Sequence, residues 1–252
     1  MSGGRQHGRI DPSHLADVAA RRPAGGAVFE MHAHSSERSL DSGVRADELV
    51  AQAAWRGLDG ICLTDHNAAW DPQALAELSG RYGILVFGGM ELGTDAGHVL
   101  VFGLERYHPG LLVLERLRRV VQEERAAMVL AHPMRPFHGV RPGPSDFAEW
   151  FHGIEVINGD HSDSEHGYLA REAARLRLAR VGGSDAHSRV AVGRVATRFP
   201  GPVTTMADIV SFLREGAADA LDFRPRVAAA AKYEEATCTS LSPQNRCSTP
   251  KA

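Results

Sequence analysis

The chain has 252 residues, of which 43% are hydrophobic, and this is enough for one sizeable core. Its net charge is only -3 and it has no long run of like charges, which argues against a large nucleic-acid-binding surface. No apolar run approaches membrane-spanning length and the N-terminus lacks the apolar core of a signal peptide, so we expect a cytoplasmic protein without membrane contact.

Short apolar runs alternate with helix-like segments along the chain, which indicates βα units and a mostly parallel sheet. The predicted strands, in chain order, are GAVFEMHAH, DGICLTD, ILVFGGME, MVLAHP, GIEVIN, ARVGGSD and GRVATRF. The predicted helices are RADELVAQAAWRG, DPQALAELSGRYG, GLLVLERLRRVVQEERA, SEHGYLAREAARLRL and TMADIVSFLREG. The run HVLVFGL follows the turn-like GTDAG, which predicts an antiparallel hairpin with the strand before it.

The chain is predicted to divide into three regions. Residues 1–26 are expected to form a flexible arm, residues 27–225 one barrel domain, and residues 226–252 a disordered tail, because the tail has no amphipathic stripe to bury. Cys62 lies in an apolar run and is predicted to be buried. The other two cysteines lie in the polar tail, so we expect neither a disulfide framework nor a zinc ribbon.

Polar side chains follow the ends of several predicted strands. His32 and His34 are two residues apart, so they share one face of an extended chain and can bind one ion together. Asp65 and His66 follow the next strand in TDHN. The later strand ends carry Glu91, His98, His132, Asp185 and His187. Each pattern alone is weak, because a polar strand mouth or a helix-capping aspartate would look the same.

The repetition of these patterns is stronger evidence than any one of them. Six of the thirteen histidines lie at or beside predicted strand ends, and the carboxyl ends of parallel barrel strands converge on one rim. Imidazoles with a few carboxylates suit manganese, iron or zinc, and the set is larger than one catalytic ion needs. The sequence therefore predicts a cluster of two or three divalent metal ions.

The motifs HAH, TDHN, the glutamate of GGMELG, AHP and GGSDAH occur in this order between about Ala27 and Pro200. In this order they resemble the PHP family of polymerase and histidinol phosphatase domains. The resemblance implies a distorted seven-stranded (β/α) barrel of the TIM type, with a metal site at the carboxyl ends of its strands. It also implies hydrolysis of phosphoesters.

The resemblance also implies which residues bind each metal. The first metal would be held by His32, His34, Glu91 and Asp185. Glu91 would bridge to a second metal held also by His98 and His132. His66 and His187 would hold a third metal with a residue from SSERSLDSG, for which Asp41 is preferred and Glu37 is the alternative. A helix cap is the other reading of Asp41.

Three further residues are candidates for roles in catalysis or substrate binding. Asp65 is the candidate for proton transfer, with orientation of a ligand imidazole as its alternative role. Arg135 and His138 lie in the loop HPMRPFHGVRP and are predicted to bind substrate, Arg135 by gripping phosphate oxygens. The alternative for Arg135 is a solvated position on the surface.

The predicted function is hydrolysis of a phosphomonoester, on a small metabolite or nucleotide, by a hydroxide held between two metal ions. Scarce aromatic residues, 6% of the chain, and the missing basic patch favour a small phosphorylated substrate over a nucleic acid. Phosphodiesterase or exonuclease activity on nucleic-acid ends or cyclic nucleotides is the first alternative. An amidohydrolase-like enzyme, which would usually need a metal-bridging lysine, and a non-catalytic metal-binding module are the others.

Overall fold

The computed structural model describes residues 12–135, 149–159 and 162–224. The strands are β1 (Ala27–Glu30), β2 (Gly60–Leu63), β3 (Leu85–Thr94), β4 (Gly97–Phe102), β5 (Ala127–Leu130), β6 (Gly153–Asn158), β7 (Ala179–Gly183), β8 (Val195–Phe199) and β9 (Asp219–Asp222). The helices are α1 (Pro12–Arg21), α2 (Ala46–Trp55), α3 (Pro72–Tyr82), α4 (Leu114–Glu123), α5 (Asp163–Leu176) and α6 (Met206–Arg214). The predicted tail at 226–252 lies outside the described residues.

The strands form one sheet, in the order β7-β6-β5-β4-β3-β2-β1-β8-β9, which curls into a nearly closed barrel. Strands β1 to β3 pair in parallel, as do β5 to β7, and β4 lies antiparallel between β3 and β5. Beyond the ends of β1 and β7, His34 N donates to Ala186 O and Ala186 N donates to His32 O. These bonds close the barrel at the carboxyl ends of its parallel strands.

At the opposite end, β8 fills the space between β1 and β7. It pairs antiparallel with β1, and the Thr197 hydroxyl bonds both the amide (2.9 Å) and the carbonyl (2.8 Å) of Gly182 in β7. Strand β9 pairs antiparallel with β8. The predicted TIM-like barrel and the antiparallel hairpin are thus confirmed, but the described sheet has nine strands instead of seven and is less parallel than expected. The short β9, whose sequence is DALD, carries too few apolar residues to show a strand pattern.

The barrel interior beneath the rim is packed with apolar side chains. Phe29 of β1 stacks on Phe87 with ring centres 5.9 Å apart and meets the edge of Phe199 at 6.0 Å. Cys62 is buried, as predicted, and burial raises the pKa of its thiol above the usual range. Because the interior is filled by apolar side chains, a polar site can form only at the rim, at the carboxyl ends of the parallel strands.

Helix α1 lies in the part of the N-terminal region that the structure describes. Val18 is buried against the barrel, and the guanidinium of Arg22 donates to Asp59 at 2.9 Å and to Gly57 O at 3.0 Å. Asp59, just before β2, in turn accepts from Val28 N in β1. Hydrogen bonds through Asp59 therefore connect β1 to the end of this helix. In the part of the chain that the structure describes, no helix is long and apolar enough to cross a membrane.

Candidate metal centre

His32 and His34 lie directly after β1 and point into the mouth of the barrel. Both side chains are fully buried. Their Nε2 atoms lie 3.5 Å and 3.2 Å from the same oxygen of Asp185, which follows β7. The hydrogen bonds that close the barrel between these two segments therefore also bring their candidate ligands together.

Glu91 stands at the centre of the cluster and uses both carboxylate oxygens. It lies in β3, which runs past the rim into the hairpin with β4 and so carries His98 back toward the mouth. Glu91 Oε1 lies 2.8 Å from one ring nitrogen each of His98 and His132. Glu91 Oε2 lies within 3.3 Å of ring nitrogens of His32, His34 and His66. One carboxylate thus joins two groups of imidazoles, as expected for a ligand that bridges two ions.

A third group lies at the outer edge of the mouth. Asp41 Oδ2 is 3.1 Å from His66 Nε2 and 3.2 Å from His187 Nε2. Glu37 points elsewhere, because its carboxylate accepts from Ala46 N at the start of α2. The structure therefore favours Asp41 over Glu37 as the partner of the two histidines, and its side chain is about half exposed.

The residues of the cluster fit a metal ion, as their unsatisfied atoms indicate. His32 Nε2, His34 Nε2 and Glu91 Oε2 are buried without a hydrogen-bond partner among the described residues. A buried polar atom without a partner is costly, and the two imidazole nitrogens both lie within 3.3 Å of Glu91 Oε2. Imidazole nitrogens and carboxylate oxygens are the ligands that zinc, iron and manganese share.

The charges of the cluster also favour a bound cation. Burial opposes ionisation of Glu91 and Asp185, but the surrounding imidazoles, His32 first, hold the pKa of both carboxyls well below the usual range. For His32, burial lowers the pKa, but the carboxylates of Asp185, Glu155 and Glu91 outweigh it and raise the pKa well above its ordinary value. The field that favours a proton on His32 also favours a divalent cation at the same place.

Two of the predicted ligands have an unusual backbone conformation. His132 and Asp185 adopt positive φ angles of 24° and 51°, a region that residues with a Cβ atom rarely occupy. Such strain persists only where the surrounding structure enforces it, and it occurs often at functional sites. Here the sharp turn after each strand directs the side chain back over the mouth of the barrel.

In three of the histidines, the ring nitrogen that faces away from the cluster is held by a neighbouring group. His32 Nδ1 lies 2.9 Å from Glu155 Oε1, His187 Nδ1 lies 3.0 Å from Asp185 O, and His34 Nδ1 lies 3.4 Å from Ser39 Oγ. Partners of this kind fix the tautomer and the orientation of metal-binding histidines. The inner nitrogens are thereby left to face the cluster.

Asp65, the candidate for proton transfer, is held by hydrogen-bond donors of the neighbouring loops. It is fully buried, and its two oxygens accept from Ser35 N, Ser35 Oγ, Ser39 Oγ and Trp70 Nε1 at 2.6–2.9 Å. Among the described residues, no imidazole bonds to it. This geometry does not fit proton transfer to a substrate. Asp65 holds the loop after β1, and through Ser39 it supports the position of His34.

Of the two predicted substrate-binding residues, the structure describes Arg135, and His138 lies outside the described residues. Arg135 Nη2 donates to Asp185 Oδ2 at 2.5 Å and to Asn158 Oδ1 at 3.3 Å. Its side chain is 26% exposed. Arg135 therefore lies beside the candidate metal cluster and not on a distant surface. A residue that binds phosphate at this cluster needs such a position.

Sequence reasoning missed two buried carboxylates, Glu30 and Glu155, that support the site. Glu30 accepts from the amides of His32, Ser184 and Gly193, and so joins the loops after β1 and β7. The signal was present in the sequence, because each is a lone glutamate in an apolar strand, AVFE or GIEVIN. A glutamate is almost never fully buried unless it is paired.

Gly183 makes room for the contact between His32 and Glu155. A Cβ atom at this position would lie 2.5 Å from His32 Cβ and 2.6 Å from Glu155 Oε1. We expect Gly183→Ala to destabilise the fold by about 1–3 kcal/mol through overpacking, and to weaken metal binding because His32 must move. Urea denaturation and metal titration measure the two effects.

Gly80→Ala is the matched control for this substitution. It lies in α3, where an added Cβ meets nothing within 4 Å, so it should leave metal binding unchanged and stabilise the helix by about 0.5–1 kcal/mol. Wild-type metal affinity in Gly183→Ala would show that the close packing of His32 and Glu155 does not matter for the site.

Comparisons with known proteins agree with this geometry. The PHP domain model matches residues 30–140, and a PHP-associated model matches residues 168–218, so together they span most of the described barrel. An error-prone DNA polymerase from Nocardia farcinica is 40% identical over 63 residues, which are 25% of this chain and 6% of that protein. A phosphoribosyl 1,2-cyclic phosphate 1,2-diphosphodiesterase from Eggerthella lenta is 31% identical over 93 residues, 34% of this chain and 35% of that enzyme.

Solved structures share the fold over most of the chain. PsfC from Pseudomonas syringae superimposes with a TM-score of 0.63 at 25% identity, over 79% of this chain and 92% of PsfC. A two-domain protein from Bacteroides vulgatus containing a predicted PHP-like metal-dependent phosphoesterase also has a TM-score of 0.63, at 22% identity, over 80% of this chain and 66% of its own. The matches to both family models, the shared fold and the clustered motifs show that the chain belongs to the PHP family.

Proposed function

We propose that this chain is a metal-dependent phosphoesterase that hydrolyses a small phosphomonoester. The observation that carries the proposal is the position of Glu91, whose two oxygens face two separate groups of imidazoles at one barrel mouth. Phosphoester hydrolysis requires a nucleophile at neutral pH and compensation of the charge on the phosphate oxygens. Divalent ions bound at such a site supply both.

The protein's own residues position these parts. The buried ligands His32, His34 and Glu91 sit on a rigid barrel rim, so their geometry is held before a substrate arrives. Arg135 lies beside Asp185 and provides a planar guanidinium that can bind phosphate oxygens. Asp41, His66 and His187 at the outer edge face the side from which a substrate enters.

A small substrate is favoured by the composition of the chain, which has few aromatic residues and no basic patch. The chain between His98 and His132 forms the rest of β4, a 3-10 turn at Pro109–Leu112, helix α4 and strand β5, so this segment contains no inserted lid. Phosphodiester hydrolysis is the second candidate, because the Eggerthella lenta relative is named as a cyclic phosphate diphosphodiesterase. A bridging lysine of the amidohydrolase type is absent, since the chain's two lysines, Lys232 and Lys251, lie beyond the barrel strands.

The test begins with elemental analysis of the purified protein. Rates of release from p-nitrophenyl phosphate and bis-p-nitrophenyl phosphate are then measured on the same sample, with manganese, iron or zinc added after chelation. We expect two or three metals per chain and faster cleavage of the monoester. Faster cleavage of the diester would favour the second candidate. Full metal content without hydrolysis of either compound would favour a non-catalytic metal-binding module.

A further inference from the structure

Glu155 of β6 is fully buried beneath the metal cluster, and its carboxylate is fully used. Oε1 lies 2.9 Å from His32 Nδ1, and Oε2 accepts from His132 N at 2.8 Å and from Asn158 Nδ2 at 2.9 Å. It therefore contacts the side chain of one predicted metal ligand and the backbone of another. Burial of a charged group is costly, so a lone glutamate here needs these partners.

Asn158, at the end of the same strand, connects Glu155 to the substrate side of the site. Its side chain is fully buried. Nδ2 donates to Glu155 Oε2 and lies 3.5 Å from Asp185 Oδ2, while Oδ1 accepts from Arg135 Nη2 at 3.3 Å. The amide group of Asn158 thus contacts three parts of the site. These are the Glu155 carboxylate, which orients His32, the candidate metal ligand Asp185, and Arg135, which is proposed to bind phosphate.

We infer that Glu155 and Asn158 are positioning residues that hold the metal site and the substrate-binding arginine in fixed positions relative to each other. Glu155 orients His32 and the turn at His132, and so governs metal affinity. Asn158 orients Arg135 through its side-chain oxygen, and so governs phosphate affinity. The role of Asn158 rests on the proposed function, whereas the role of Glu155 concerns only metal binding.

Glu155→Gln tests the first role with metal affinity as its readout. The amide keeps the shape of the carboxylate but presents an NH₂ group to His32 Nδ1 or to His132 N, where an acceptor is needed. We expect about a 10- to 100-fold loss of metal affinity in chelator competition, with the far-UV circular dichroism of the metal-free protein unchanged. Glu123→Gln, on the exposed face of α4, is the matched control and should bind metal as the wild type does.

Unchanged metal affinity in Glu155→Gln would overturn the first role, whether or not any phosphoester is hydrolysed. Where this variant does not fold, Glu155→Asp provides the measurement. Its carboxylate keeps the charge but is one methylene shorter, so it cannot reach His32 and His132 together. It is expected to show a loss of metal affinity of the same direction, and wild-type affinity would count against the proposal.

The role of Asn158 is tested with inorganic phosphate, titrated into the metal-loaded protein by calorimetry. Asn158→Ala and Arg135→Ala should each weaken phosphate binding, Arg135→Ala by about 10- to 100-fold and Asn158→Ala by less. The double variant should be no weaker than Arg135→Ala alone, because both substitutions remove the same contact to phosphate. Additive losses, or phosphate binding unaffected by Asn158→Ala, would overturn the link between the two residues.

Discussion

Glu91→Ala is expected to remove bound metal and hydrolytic activity together. Both oxygens of Glu91 face ring nitrogens, so its loss takes a shared ligand from two groups of histidines at once. We expect the metal content to fall by at least one ion per chain and the rate with p-nitrophenyl phosphate to fall by roughly three orders of magnitude or more. Elemental analysis and steady-state kinetics on one preparation measure both.

Two controls separate this effect from general damage to the protein. Glu123→Ala removes an exposed carboxylate from α4 and should retain full metal content and activity. Glu91→Gln keeps the volume of the side chain and avoids a cavity, so a loss of metal in both Glu91 variants cannot arise from altered packing alone. Full activity with unchanged metal content in Glu91→Ala would refute the proposed site.

Asp41→Ala is expected to remove only the outermost metal. Its carboxylate contacts His66 and His187 and lies at the exposed edge of the cluster, away from the buried His32. We expect one fewer metal per chain and about a 10- to 100-fold lower rate, since two metals remain to act on the phosphate. A titration of the metal-free protein with manganese, followed by rate measurements, tests both expectations.

Glu37→Ala is the informative partner of this substitution, because the sequence left the choice between the two residues open. Glu37 accepts from the amide of Ala46 at the start of α2, so its loss should destabilise the helix by about 0.5–1 kcal/mol. Its metal content should equal that of the wild type. If Glu37→Ala lost a metal and Asp41→Ala did not, the two roles would be exchanged.

Most of the candidate metal site could be predicted from the sequence because its residues follow strand ends. His32, His34, Glu91, His132 and Asp185 each come at or just after an apolar run, and the carboxyl ends of parallel strands converge on one rim. The surroundings of Asp65 could not be predicted from the sequence, for a physical reason. A carboxylate at a strand end can face the cluster or the loop beneath it, and only the packing of Ser35, Ser39 and Trp70 around Asp65 decides which.

The sequence by itself determined the class of fold, the antiparallel hairpin and the identity of most of the candidate metal ligands, because periodicity and motif order are local properties. Only the tertiary structure decided how the barrel closes. At one end β8 lies between β1 and β7, and at the opposite end the segments that follow β1 and β7 pair directly with each other. It also decided that Asp41 faces His66 and that Glu155 supports His32. These contacts join residues far apart in the chain, and hydrogen-bond geometry in a closed barrel selects them among the several polar side chains that each loop offers.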